Sequence, residues 1–247
     1  MSGRVALITG ASRGIGAAIA NRLAADGYVV VVAYFSRATD AEGVVDGIVA
    51  AGGRAIAISL NVASRASIRE AFAATAASLG PIEILVNNAA IAQEKPFLAL
   101  TDENWDAMLA TNLRGPFACA QEALPGMLER KWGRIVNIVS IGGQWGGVNQ
   151  IHYASAKAGL IGLTRSLAKA FSRHGVTCNA VSPGLVATEM SARELNTPEG
   201  QAKIQLIPVG RLGLAEEIAA AVAYLVGPGG DYVSGQTINV NGGMYFG

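Results

Sequence analysis

Short apolar runs alternate along the chain with longer stretches whose apolar residues return every three or four positions. Arg4 to Thr9 is the first such run. Gly14 to Asp26 follows, with Ile15, Ile19 and Leu23 at helical spacing. Tyr28 to Tyr34 reads YVVVVAY, too apolar on both faces for an edge strand. Such continuous β-branched runs suit a parallel strand covered on both sides. The alternation continues with helix 40–52, strand 54–60, helix 65–79 and strand 82–86. One long helix over 102–130 then precedes strand 134–139, helix 153–173 precedes strand 176–181, and helix 215–226 precedes a last strand over 236–240. Seven strands interleaved with helices predict an α/β chain: one doubly wound parallel sheet, helices on both faces. A single domain over 1–247 is expected, with one break in the rhythm between Pro183 and Gly213. That segment has short helical patterns and no strand. Long excursions of this kind are often lids or binding loops, so a substrate loop is expected at 184–212.

Composition narrows the function. Of 247 residues, 51% are hydrophobic and 15% charged, which supports a sizeable core. A net charge of +1 without a basic stripe argues against nucleic acid as a partner. No apolar run approaches the roughly 18 residues of a membrane span. MSGRVALITG runs straight into a strand, so no secretion signal is read and a cytoplasmic location is expected by default. Cys119 and Cys178 make no disulfide framework and read as buried thiols. No metal site is read.

Candidate chemistry starts between the first strand and the first helix, at Thr9-Gly10-Ala11-Ser12-Arg13-Gly14-Ile15-Gly16. Glycines let the backbone turn tightly against a pyrophosphate, and the helix behind them offers free N–H groups and a positive dipole end. The end of the second strand reads Ala33-Tyr34-Phe35-Ser36-Arg37, with no carboxylate before Asp40 to bind ribose hydroxyls. Arg13 and Arg37 are instead suited to a 2′-phosphate, so NADP(H) is expected over NAD(H). Tyr153 and Lys157 share one helix face. Ser140 closes a strand at the sheet edge where ligands bind, and Asn112 is a polar amide inside the long helix.

Gly10-x-x-x-Gly14-x-Gly16, Asn87-Asn88-Ala89, Asn112, Ser140, Tyr153-x-x-x-Lys157 and Pro183-Gly184 together resemble the short-chain dehydrogenase/reductase family, a Rossmann-type fold. Gly210-Arg211-Leu212-Gly213 and the tail from Ser234 to Gly243 resemble its 3-oxoacyl-(acyl carrier protein) reductases and carbonyl-reductase relatives. The resemblance spans Thr9 to Gly243 and implies an enzyme, an NADP-dependent carbonyl reductase of class EC 1.1.1.-. It assigns the transferred proton to Tyr153, whose phenol Lys157 would bring down from its ordinary pKa of about 10. Lys157 would also hold the nicotinamide ribose. Ser140 would bond the substrate oxygen, and Asn112 would hold a relay water. The implied cofactor contacts extend from Gly10, Ser12, Arg13, Gly14, Ile15 and Gly16 to Ser36, Arg37, Asn61 and Val62. They include Asn87 and Ala89, then Pro183, Gly184, Val186 and Thr188. This chain has Ala90 where the family has glycine, and Asn61 where members often have aspartate.

Gln93, Gln144, Trp145, Gln150, Met190 and Leu195 are candidate walls of a substrate pocket. Their neutral character favours a ketone or an acyl thioester. Arg130, Lys131 and Arg173 resemble a docking patch for acyl carrier protein, and family members form homotetramers through helices 102–130 and 153–173. Three functions stay open at this point: a carbonyl reductase on 3-oxoacyl thioesters or small ketones, including β-keto esters; a sugar, polyol or steroid alcohol dehydrogenase working oxidatively; and a nucleotide-binding regulator without turnover.

Overall fold

Strand β1 (Val5–Thr9) sends Val5 and Leu7 to one face of the sheet and Ala6 and Ile8 to the other, and all four are buried. The two-residue period of a strand makes this unavoidable when both faces are covered. In the computed structural model the chain is described over residues 3–189 and 197–247. Helix α1 (Gly14–Ala25), strand β2 (Val29–Tyr34), helix α2 (Ala38–Ala50) and strand β3 (Arg54–Ser59) carry the chain outward from β1. Helix α3 (Arg65–Leu79) brings it back, and strand β4 (Ile82–Asn87) pairs with β1 on its free side. The sheet then grows through β5 (Gly133–Ile138), β6 (Val176–Pro183) and β7 (Thr237–Val240), giving the all-parallel order β3-β2-β1-β4-β5-β6-β7.

Ile19 and Leu23 of α1 pack with Ile218 and Val222 of helix α9 (Ala215–Val226) over one face. Ile68 and Phe72 of α3 pack with Leu124 and Met127 of helix α5 (Gly115–Glu129) over the other. Fully burying such a side chain contributes about 1.5–3 kcal/mol, which is why the apolar runs decide the architecture.

The seven expected strands are found at the expected places. The single helix over 102–130 is not. It is divided into α4 (Asp102–Leu109), a π-helical turn at Ala110–Arg114, and α5. Pro116 fits this division, whereas Pro125 is carried inside α5. In an unbroken α-helix the N–H of residue 116 would donate to the carbonyl of Asn112, and proline has no N–H.

A single helical turn, α6 (Gly142–Trp145), and the long α7 (Ile151–Phe171) follow β5. The excursion after β6 contains helix α8 (Pro198–Gln205). Its two ends are joined by Ala187 N donating to Gly213 O at 2.9 Å and Gly213 N to Leu185 O at 2.9 Å. No helix among the described residues is long and apolar enough to cross a membrane.

Candidate active site

The chain leaves β1 toward one half of the sheet and β4 toward the other. Between them a cleft of about 620 Å³ opens at the carboxyl ends of the strands, the usual ligand position in open α/β sheets. Its floor at one end is the glycine loop. Gly10 has φ +65°, and a Cβ there would lie 2.9 Å from Ala89 Cα. Asn88 locks the loop from above: its Nδ2 donates to Thr9 O and Gly10 O, both at 3.0 Å. Helix α1 starts at Gly14 with no side-chain cap and no acidic residue in its first turn. Its first N–H groups and positive dipole end are therefore available to an anion. A Cβ on Gly14 would come within 3.7 Å of Thr188 across the cleft. The loop, the bare helix end and the gap beside Gly14 fit a dinucleotide diphosphate.

Gly16 has no room to change. A Cβ there would meet Gly10 O at 2.3 Å and Asn88 Nδ2 at 2.6 Å. Gly16→Ala should cost roughly 1–3 kcal/mol of stability through this overpacking and weaken dinucleotide binding. Urea unfolding and a cofactor titration check both. A variant as stable and as tight as wild type would show that the loop is not held this closely.

Phe35, Ser36, Arg37, Asn61 and Val62 line the far end of the cleft. Asn61 uses its Oδ1 locally, accepting from Ala63 N at 3.0 Å. Arg13 and Arg37 both pair with Glu189, and Arg37 also meets Asp40 at 3.0 Å.

Ser140, Tyr153 and Lys157 line the opposite end. A Cβ on Gly143 would meet Lys157 Cβ at 2.8 Å, so glycine is what lets the α6 turn lie against α7. Lys157 is 2% exposed, and its Nζ donates to Ile138 O at 2.7 Å. The same Nζ lies 5.6 Å from the centre of the Tyr153 ring. Burial lowers the Lys157 pKa to about 8. Burial raises the Tyr153 phenol above its ordinary value, against the opposing hydrogen bond of the Ser140 hydroxyl. This reverses the expectation that Lys157 brings the phenol down. Lys157 is buried with its ammonium committed to the carbonyl of Ile138, while Tyr153 is half-buried at the cleft wall.

Asn112 is fully buried and does not reach the cleft. Its Oδ1 accepts from Ile91 N at 3.0 Å, and its Nδ2 donates to Ile91 O at 2.8 Å. The side chain expected to hold a water instead anchors the loop after β4. Asn87 also points elsewhere, donating to Asn137 Oδ1 at 2.8 Å within the sheet. Its neighbour Asn88 lines the cleft in its place.

The expected substrate walls divide. Gln150 lines the cleft and donates to Glu94 at 3.1 Å. Gln93 pairs with His152 Nε2 at 3.3 Å. Gln144 is turned away, donating to Ser182 Oγ at 2.9 Å and Asn239 Oδ1 at 2.6 Å. Trp145 packs edge-on against Tyr245, ring centres 6.1 Å apart. Met190 and Leu195 lie outside the described residues.

Comparison with known proteins agrees with this layout. The short-chain dehydrogenase/reductase family model described as enoyl-(acyl carrier protein) reductase matches residues 10–245. The chain belongs to the short-chain dehydrogenase/reductase family. It is an oxidoreductase of a family that works with a nicotinamide cofactor. Similar proteins include a 3-oxoacyl-[acyl-carrier-protein] reductase of Synechocystis sp., 43% identical over 245 residues, covering 99% of this chain and 98% of that one. Another, from Vibrio cholerae, is 40% identical over 245 residues, again covering 99% and 98%. A solved structure from Agrobacterium tumefaciens, assigned as a gluconate dehydrogenase, superposes with a TM-score of 0.94 at 34% identity, covering 98% of this chain and 95% of that one.

As a short-chain dehydrogenase/reductase the chain has three polar cleft residues that sequence reasoning missed. Asn88 stood inside a motif already quoted, and only the pleat decides which of two adjacent asparagines faces the cleft. Thr111 became visible once the π turn was seen. Glu189 gave no signal, because its partner Arg13 is 176 positions away. The basic residues Arg130, Lys131 and Arg173 follow the carboxyl ends of α5 and α7. Tyr153 is near the start of α7, about 27 Å from its end at 1.5 Å rise per residue. Within one chain the patch does not border the cleft.

Proposed function

We propose that this chain reduces a ketone to a secondary alcohol with NADPH, and that Tyr153 delivers the proton. The observation that carries the proposal is the meeting of Ser140, Tyr153 and the buried Lys157 at one end of a cleft whose other end is the diphosphate cradle. Bound NADPH would supply the hydride. Gly10, Ser12, Gly14, Ile15 and Gly16 would hold the diphosphate, with Arg13, Ser36 and Arg37 at the adenosine phosphate. Asn61, Val62 and Ala89 would flank the adenosine, and Pro183, Gly184, Val186 and Thr188 the nicotinamide.

Ser140 would donate to the substrate oxygen and fix it beside the phenol. A phenol whose pKa is raised stays protonated at neutral pH, so Tyr153 starts in the acid form that reduction requires. An alkoxide forming next to it is a far stronger base, and the proton passes without the phenol being acidified first. The Lys157 ammonium then faces the phenolate and supports it. The Asn112 side-chain amide is committed to the backbone of Ile91, so it is not available to hold a relay water.

The names of the similar reductases favour a 3-oxoacyl thioester as substrate, with small ketones and β-keto esters as the alternative. The similarity to a gluconate dehydrogenase favours an oxidative alcohol reaction as the second reading. We also propose a homotetramer. Exposed Ser155, Ala158, Gly162 and Ser166 leave one face of α7 flat enough for another helix, and Phe117 on α5 is 41% exposed. An antiparallel pairing of these helices would carry the basic patch of one copy toward the cleft of the next, where carrier protein would dock.

The test is a screen of NADPH and NADH consumption across acetoacetyl thioesters, β-keto esters, aryl ketones and diketones, with chiral analysis of products. A preference for NADPH of about 10- to 100-fold in kcat/KM is expected from charge-assisted bonds to one phosphate. Preference for NADH, or turnover of alcohols and sugars with no ketone reduced, would reverse the proposal.

A further inference from the structure

Glu189 stands between the two arginines on which the choice of NADPH rests. Its Oε2 pairs with Nη1 of Arg13, and its Oε1 lies 3.5 Å from Nη2 of Arg37. The three residues come from three separate segments: the glycine loop, the end of β2 and the stretch beyond β6. All three line the cleft. The second carboxylate on Arg37, Asp40, comes from the next turn of the same chain segment and belongs to no other wall.

A guanidinium presents a fixed fork of donors, and a carboxylate or a phosphate can occupy the same fork. A phosphate arriving at Arg13 and Arg37 meets a carboxylate of its own sign already seated there. Both cannot hold the forks at once, because like charges at contact distance repel. We infer that Glu189 is an internal competitor for the 2′-phosphate, holding the arginine pair in the free protein and giving it up to the cofactor. This inference rests on the NADPH reading above. It makes Glu189 a residue that sets how strongly NADPH is preferred over NADH. NADH carries a ribose hydroxyl where NADPH carries the phosphate, so it leaves the ion pairs in place. Glu189 therefore weighs against NADPH and not against NADH. The side chains of Arg13 and Glu189 remain 43% and 60% exposed, so solvent screens the contest and its effect is moderate.

Titrations of NADPH, NADH and 2′,5′-ADP, followed by calorimetry at low salt, test the inference without any turnover. Glu189→Gln keeps the shape and removes the charge. It should tighten NADPH and 2′,5′-ADP by about two- to fivefold, the scale of an exposed ion pair, and should move NADH less. The gain should disappear in a protein that also carries Arg13→Ala and Arg37→Ala. Unchanged or weakened NADPH binding in Glu189→Gln overturns the inference. So does an equal gain for NADH, which would mean only that a negative charge near the cleft repels any dinucleotide. Wild-type protein that binds NADH as tightly as NADPH would overturn the cofactor reading and this inference together. An intact NADPH preference with an unmoved Glu189→Gln overturns the inference alone.

Discussion

With phenylalanine at position 153, ketone reduction is expected to slow by about 10²- to 10⁴-fold, the usual contribution of a positioned general acid. The ring keeps its packing and only the hydroxyl is lost. Ser140 is not orphaned by the change, since its Oγ still accepts from Gly142 N at 3.1 Å. Stability and cofactor affinity should therefore stay close to wild type, which separates a chemical effect from a folding one. Turnover in Tyr153→Phe comparable with wild type would remove the phenol from the mechanism. In the opposite direction, a parallel fall in activity and NADPH affinity would mean that Tyr153 serves binding alone.

The second large effect concerns Lys157. Lys157→Met keeps the length of the stem and deletes the ammonium. A loss of about 10²- to 10³-fold in kcat is expected, as for removing one preorganised group that supports charge in the transition state. The same variant reports on stability. In the folded protein Lys157 has a pKa of about 8, against an ordinary value of 10.5. Between those values the unfolded chain binds the proton and the folded chain does not, so wild-type stability rises with pH. The contribution is fully present above 10.5 and is lost as pH falls through about 8. Methionine has no proton to bind. Measured by urea unfolding, wild type should gain on Lys157→Met by about 3 kcal/mol from neutral pH to the upper value. This difference is independent of the bond from Nζ to Ile138 O, which is missing from the variant at every pH. Reductive kcat in wild type should fall as pH rises through about 8, where the ammonium loses its proton. A stability difference flat with pH would show that Lys157 keeps an ordinary pKa despite its burial.

These two side chains were legible early because their relation is local. Residues four apart on one helix share a face whatever surrounds the helix, and Tyr153 and Lys157 do so here. Their electrostatics were not legible. The expectation of a phenol lowered by its neighbour took no account of desolvation, which raises Tyr153 while Lys157 is buried against the carbonyl of Ile138. Asn112 illustrates the opposite case. Its position was noticed correctly as an awkward one for an amide, yet its partner is the backbone of Ile91, 21 positions away. Pro116, which offers no N–H to the carbonyl of Asn112, marks the break in the sequence.

What the amino-acid order determined alone is the seven-stranded parallel sheet, the glycine loop ahead of α1, and the placing of Ser140, Tyr153 and Lys157 at its carboxyl edge. Each follows from periodicity, from backbone freedom at a turn, or from spacing within one element, all of which act over a few residues. Tertiary structure decided which of Asn87 and Asn88 meets the cleft, that Gln144 is bonded to Ser182 and Asn239 and Trp145 packs on Tyr245, and that Glu189 holds Arg13 and Arg37. Those outcomes depend on which distant segments the packing of helices against the sheet brings within a few ångströms, and no local pattern encodes that distance.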